Sequence, residues 1–163
     1  MNDVSFSIFE SRIHQAVQIY EQALLTIDCK IERAKVGSIN KNQSVCFKKL
    51  LENYKITGPQ SVNDFIKTLK LMVQYQSQAI FNGKNDHPKK WYIQILESST
   101  FIFENETVTD VFKSLEVQDQ IEKYESILTQ VNSLNFELVR RLSWNLSKLY
   151  YQQSIRSHEN KQF

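Results

Sequence analysis

The sequence predicts an all-α protein, a single-domain bundle of about six to eight amphipathic helices, and three observations support this prediction. First, apolar residues recur at intervals of three and four along most of the chain. Second, the chain has only three Gly and two Pro, which fall at three places and leave long uninterrupted runs between them. Third, an alternation typical of a β-strand is confined to residues 100–103, a run too short to build a sheet.

The N-terminal third is predicted to hold two helices. Residues 5–31 place their apolar side chains on one helical face, so they form the first helix. A polar stretch around Gly37 is predicted to be the connector that follows it. Ser44 can then cap a second, short helix, because its side chain can accept a hydrogen bond from a first-turn amide. The Gly58 and Pro59 pair ends this helix.

The middle of the chain contains the clearest predicted helix start. Ser61 can accept a hydrogen bond from the amide of the third residue after it, and Asp64 adds negative charge to the first turn. The apolar residues that follow share one face and are predicted to be buried: Phe65, Ile66, Leu69, Met72, Val73 and Ile80. An exposed loop around Gly83 is expected to end this helix.

Two shorter helices are predicted after that loop. Asp86 and Pro88 have the residue types of a cap and a first turn, and the helix that they begin contains Trp91. Thr107 opens the second of these helices, in which Phe112 is predicted to face inward.

A helical pair is predicted to form the C-terminal part and the centre of the core. Residues 117–151 contain two one-sided apolar stripes separated by a polar break at residues 132–135, a pattern typical of two antiparallel helices. The polar residues 154–163 are expected to fray. On this interpretation residues 1–163 form one helical domain.

The charge and the ends of the sequence exclude several classes of protein. A net charge of +2 is too small to predict nucleic-acid binding, and no apolar run reaches the roughly 18 residues of a membrane span. The start of the chain lacks the basic and apolar segments of a signal peptide. The predicted location is therefore cytoplasmic, with Cys29 and Cys46 as free, buried thiols in a reducing compartment.

Charge is distributed unevenly along the chain. Residues 1–90 contain thirteen Lys or Arg and eight Asp or Glu, whereas residues 91–163 contain seven and ten. The basic first half could face an acidic partner, or it could be ordinary surface variation.

The residues capable of chemistry form no recognisable catalytic or metal-binding pattern. His14, His87 and His158 lie in three different segments, without a His-x-x-x-His or Cys-x-x-Cys spacing. There is no glycine-rich phosphate-binding loop. The sequence therefore predicts no cofactor and no metal ion, and it favours a protein that is not an enzyme, although a Cys–His pair distant in sequence stays open.

Three segments carry a family resemblance. Residues 30–38, Lys-Ile-Glu-Arg-Ala-Lys-Val-Gly-Ser, stand in place of an arginine-finger loop that reads Gly-Ile-Phe-Arg-x-Ser-Gly-Ser. Residues 62–73 fit the first half of a Leu-Lys-x-x-Leu-Arg-x-Leu-Pro-x-Pro-Leu helix, with residues 77–79 in place of its Pro-x-Pro. Residues 131–142 are similar to a Leu-Pro-x-x-Asn-x-x-Leu-Leu-x-x-Leu helix. Together these segments resemble a divergent and C-terminally short RhoGAP domain, the helical module that stimulates GTP hydrolysis by Rho-family GTPases.

The resemblance implies that the chain binds a small Rho-family GTPase, with weak or absent stimulation of hydrolysis. Arg33 would be the arginine finger, whose guanidinium stabilises the charge on the transferring phosphate. Lys70 would fix the finger or contact the GTPase. The other residues predicted to face the partner are Lys30, Lys35, Asn135 and Arg140.

A second hypothesis needs no GTPase. The chain would be a helical scaffold or adaptor that binds another protein through an exposed apolar patch of roughly several hundred Å². Trp91, Trp144 or Tyr151 would take part in this patch. Because Trp144 lies off the main apolar stripe of its helix, either a partner contact or a second buried face is expected there.

Overall fold

The computed structural model describes residues 2–131 and 135–161, with side chains described as far as His158. This part of the chain forms eight helical segments and no strand, which confirms the predicted all-α bundle. The segments are α1 (Asp3–Leu24), α2 (Arg33–Glu52), α3 (Pro59–Gly83), α4 (Lys89–Ser99), α5 (Phe101–Glu104), α6 (Glu106–Lys113), α7 (Val117–Leu128) and α8 (Phe136–Lys161).

The α2 and α3 helices form the most extensive helix–helix interface. All six α3 residues predicted to be buried are at most 3% exposed, which confirms the predicted inward face. The two backbones approach closely where Gly37 meets Gly83, because a Cβ atom at Gly37 would lie only 2.7 Å from the Cα of Gly83. The core is therefore organised around α3, and not around the C-terminal helical pair as the sequence predicted.

The predicted connector around Gly37 is wrong, because α2 begins at Arg33 and continues through it. The chain actually breaks between α1 and α2, at residues 25–32. Two polar side chains in this part of α2 are buried and satisfied by hydrogen bonds. Asn40 Nδ2 donates to Gln43 Oε1 at 3.1 Å, and Gln43 Nε2 donates to Glu21 Oε1 of α1 at 2.7 Å. Buried polar residues therefore gave this helix the composition of a loop.

Two predicted N-caps lie within helices. Ser44 is buried in the middle of α2, where its hydroxyl donates to the carbonyl of Lys41 at 2.6 Å. Ser61 lies in the first turn of α3, which begins at Pro59, and its Oγ accepts a hydrogen bond from the amide of Gly58 at 3.0 Å. Pro59 suits the start of the helix because a first-turn residue needs no backbone donor.

The short helices differ from the prediction mainly at their first residues. Residues 101–103 of the strand-like run are helical, since they lie in the single turn α5. Asn105, and not Thr107, caps α6, and its side chain accepts a hydrogen bond from the amide of Val108 at 3.1 Å. Pro88 immediately precedes α4, close to the predicted start.

The α7 and α8 helices pack against each other, as the two apolar stripes predicted. Ile121 of α7 is buried with Leu146 and Leu149 of α8. Leu138 and Leu142 of α8 enter the main core. Most of the predicted polar break, residues 132–134, lies outside the described residues, and the polar tail is helical as far as Lys161.

Within residues 2–131 and 135–161, none of the helices combines the length and the apolar composition that crossing a bilayer requires.

Candidate binding cleft beside helix α8

Arg33, the predicted arginine finger, is exposed at the first position of α2. Its Nη2 donates to the carbonyl of Phe81 at 3.3 Å, and its guanidinium lies 5.1 Å from the centre of the Phe81 ring. Phe81 is in the last turn of α3, whereas Lys70 is eleven residues earlier on that helix. This spacing corresponds to roughly 16 Å along the axis. The structure does not bring Arg33 and Lys70 together.

Lys30, in the turn before α2, and Lys35, in its first turn, are both exposed and close to Arg33 in sequence. Lys35 Nζ lies 2.7 Å from Glu32 Oε1. The hydrogen bond and the positive charge from Lys35 lower the pKa of Glu32 below its ordinary value. The three cations are thus exposed within six residues of the chain, and Lys35 is partly neutralised by Glu32.

Asn135 immediately precedes α8 and is fully buried instead of facing solvent. Its Oδ1 accepts hydrogen bonds from the amide of Leu138 at 3.4 Å and from the hydroxyl of Ser99 at 3.2 Å. Its Nδ2 has no hydrogen-bond partner among the described residues. The prediction that Asn135 contacts a partner therefore requires this end of α8 to rearrange.

Ser38 and His87 lie close together but do not form a catalytic pair. Ser38 Oγ lies 3.1 Å from His87 Nε2, but the same nitrogen lies 2.7 Å from the carbonyl oxygen of Ala34. Because a carbonyl only accepts hydrogen bonds, Nε2 carries the proton and cannot take one from Ser38. The His87 ring also stacks on Trp91, with 4.1 Å between centroids. The stacking joins the loop after α3 to α4, and the contacts of His87 with Ala34 and Ser38 join it to α2.

The two cysteines are free and differ in exposure. Cys29 is exposed, in contrast to the prediction that both thiols are buried, whereas Cys46 is half-buried. Burial raises the pKa of the Cys46 thiol, which keeps it protonated and a poor nucleophile. No group of three or more His, Cys, Asp or Glu able to hold a metal ion occurs within the part of the chain that the structure describes.

A cleft of about 700 Å³ lies between α8 and the α5, α6 and α7 helices. Its base is aromatic, because the rings of Phe112 and Tyr124 stack there with 4.4 Å between centroids. Phe112 is only 2% exposed. Burial raises the pKa of Tyr124, so its hydroxyl stays neutral across the physiological range. The base of the cleft can therefore accept apolar groups.

The rim of the cleft is basic. Four cationic side chains line it, and none of the described residues that line it is acidic. The four are Lys113 of α6 and Arg140, Arg141 and Lys148 of α8. Arg140, predicted from the family resemblance to face a partner, is exposed and lies 2.6 Å from Glu137 Oε1. That hydrogen bond lowers the pKa of Glu137 and raises the pKa of Arg140.

Two of these cations lie over aromatic rings at the edge of the cleft. The Arg141 guanidinium is 5.2 Å from the centre of the Phe103 ring. Lys148 Nζ is 5.4 Å from the centre of the Trp144 ring. Each cation gains modest attraction from the ring face while it remains accessible to a ligand.

An exposed apolar stripe continues from the cleft along α8. Trp144 is 65% exposed, Tyr151 68% and Ile155 39%. Their spacing of seven and four residues places them on one helical face, over roughly 16 Å of the axis. In contrast, Trp91 is half-buried against α3 and α4. Trp144 and Tyr151 were singled out from the sequence, whereas Lys113, Arg141 and Lys148 carried no sequence signal, because only the packed fold brings them together.

Comparison of the chain with protein-family models, with curated proteins and with solved structures finds no match.

Proposed function

We propose that this chain is a helical adaptor that binds a helical segment of another protein through α8 and the adjoining cleft. The observation that carries this proposal is the exposed stripe of Trp144, Tyr151 and Ile155 beside a cleft with an aromatic base. Large apolar side chains that share one exposed face are typical of interaction surfaces, and tryptophan is enriched among residues that contribute most to binding.

The sequence of α8 supports this proposal because the helix has two apolar faces. Its inner face buries four leucines, Leu138, Leu142, Leu146 and Leu149. A surface helix that packs only against its own core typically has polar and charged residues on the opposite side. Here the outer side carries Trp144 and Tyr151. A partner helix that lies along this outer side would remove both rings from water.

A synthetic probe tests the proposal directly. The probe is an amphipathic peptide about four helical turns long, with leucines at helical spacing and glutamines on its polar face. We expect it to bind the protein in isothermal titration calorimetry. Trp144 is the most exposed of the aromatic residues that line the cleft. Trp144→Ala should therefore weaken binding of the probe by about tenfold or more.

Phe81→Ala is the matched control for this experiment, because Phe81 is also exposed, at 58%, but lies at the far end of α3. This variant should bind the probe like the parent protein. The adaptor proposal is rejected if no peptide with this apolar face binds, whatever its polar face, or if Phe81→Ala and Trp144→Ala weaken binding equally.

We propose GTPase binding as a second candidate function, supported by the exposure of Lys30, just before α2, and of Arg33 and Lys35 in its first turn. On this proposal the Arg33 side chain must leave Phe81 to reach a bound nucleotide. The test compares GTP hydrolysis by Rho-family GTPases with and without the protein. Arg33→Ala should abolish any stimulation while binding persists, and Arg12→Ala, an exposed arginine of α1, should change neither. Absence of both binding and stimulation would reject this candidate.

A further inference from the structure

We infer that the segment bound beside α8 is an acidic amphipathic helix, with large apolar side chains on one face and carboxylates along its edges. This inference rests on the adaptor function proposed above and specifies the chemistry of its partner. Two features carry it: the charge around the cleft and the apolar surface that runs beyond it.

The cleft is lined by cations although the C-terminal part of the chain has more acidic than basic residues. Residues 91–163 contain seven Lys or Arg against ten Asp or Glu. Four of those seven cations nevertheless line this one cleft, and none of the described lining residues is acidic. Ordinary surface variation would distribute the cations among the more numerous carboxylates, so their concentration here indicates an anionic ligand.

Nearby carboxylates leave part of this charge available. Glu137 pairs with Arg140 at 2.6 Å, and Glu104 lies 3.5 Å from Arg141. Lys113 and Lys148 are exposed and form no ion pair within the described residues. Because these two lysines come from different helices, they can contact carboxylates at separate positions on a bound segment.

The apolar surface indicates a helix as the source of the carboxylates. A small anionic molecule would fill the cleft of about 700 Å³ but would leave Tyr151 and Ile155 exposed. A helix that lies along α8 covers both, in the manner of an amphipathic helix in a hydrophobic groove. A nucleic acid fits less well, because its continuous phosphate charge needs an extended basic surface, whereas Glu104 and Glu137 flank this cleft.

Three peptides with the same apolar face and different polar faces test the inference. One carries glutamates on its polar face, one glutamines and one lysines. We expect the glutamate peptide to bind about tenfold more tightly than the glutamine peptide, and the lysine peptide to bind most weakly. The differences in affinity among the three peptides should largely disappear at high salt, because ions screen exposed charges.

Charge-reversal variants test whether the lysines of the cleft cause the preference for the glutamate peptide. The double variant Lys113→Glu and Lys148→Glu should weaken binding of the glutamate peptide by at least about tenfold and strengthen binding of the lysine peptide. Lys67→Glu, which changes an exposed lysine of α3, is the matched control and should leave both affinities unchanged. Circular dichroism confirms that each variant retains its helical content.

The outcomes separate the inference from the function on which it rests. Equal affinity for the glutamate and glutamine peptides, with binding still dependent on Trp144, would contradict the inference that the partner is acidic. The same result would still support the adaptor function. Failure of all three peptides to bind would reject both. Displacement of the glutamate peptide by a single-stranded RNA oligonucleotide at lower concentration than by excess unlabelled peptide would overturn the inference in favour of a nucleic-acid ligand.

Discussion

Tyr75 of α3 and Glu21 of α1 form a contact whose strength depends on protonation. The Tyr75 hydroxyl donates to Glu21 Oε1 at 2.9 Å, and Gln43 Nε2 donates to the same oxygen at 2.7 Å. Burial, followed by the hydrogen bond and negative charge of Glu21, raises the pKa of Tyr75 to about 12. Only the neutral tyrosine can donate this hydrogen bond. The contact between α1 and α3 is therefore lost when the pH rises above the pKa of Tyr75.

The free energy of unfolding should therefore decline in strongly alkaline solution. Because the pKa of Tyr75 is higher in the folded state than the ordinary value near 10, its contribution is fully present below about pH 10 and is lost towards pH 12. Urea denaturation between these pH values should show a shallower decline for Tyr75→Phe than for the parent. Tyr151→Phe, at an exposed tyrosine, is the control. An equally steep decline in both variants would contradict the assignment to Tyr75.

At the scale of helices, the crossing of α2 and α3 depends on a glycine. A Cβ atom at Gly37 would lie 2.7 Å from the Cα of Gly83 and 2.9 Å from its backbone nitrogen. These neighbours are backbone atoms, so they cannot rotate away as a side chain can. We expect Gly37→Ala to lower the free energy of unfolding by about 1–3 kcal/mol through overpacking, although alanine's higher helix propensity offsets up to about 1 kcal/mol of this. Chemical denaturation measures the change.

Gly58→Ala is the control for this helix-crossing prediction. A Cβ atom at Gly58 would meet nothing within 4 Å, and its φ of 169° is extended backbone that any residue adopts. This variant should be as stable as the parent to within about 0.5 kcal/mol. If Gly37→Ala is equally well tolerated, then the two helices can separate at the crossing without loss of packing.

The same crossing shows why helix α2 was harder to predict than α3. In α3 the apolar residues repeat at helical spacing, so its buried face could be identified from the sequence. In α2, Gly37 and the buried Asn40 resembled a loop, and their roles depend on partners distant in sequence. The residues of the cleft also differ in how far the sequence alone reveals them. Trp144 could be recognised from its place off the leucine stripe, but Lys113 meets the α8 cations only after the chain has folded.

At the scale of the whole molecule, α3 connects the two ends of the chain. It packs against α2, α4 and α7, and α8 packs against α4 and α7. One continuous core cluster extends from Val17 of α1 to Leu142 of α8, with Leu69 of α3 fully buried within it. Because the core is continuous, we expect the helices to unfold as one cooperative unit, so that a destabilising change in α3 also destabilises α7 and α8.

Leu69→Ala tests this cooperativity. The substitution removes buried methyl groups from the shared core, so it should lower the free energy of unfolding by about 2–5 kcal/mol. In one cooperative unit, the slowest-exchanging amides of α8 should lose as much protection as those of α3, which hydrogen exchange measured by mass spectrometry reports. Val45→Ala, at a valine that is 52% exposed, should leave both regions nearly unchanged. If α8 keeps its protection while α3 loses it, then the helices that form the binding cleft fold independently of α3.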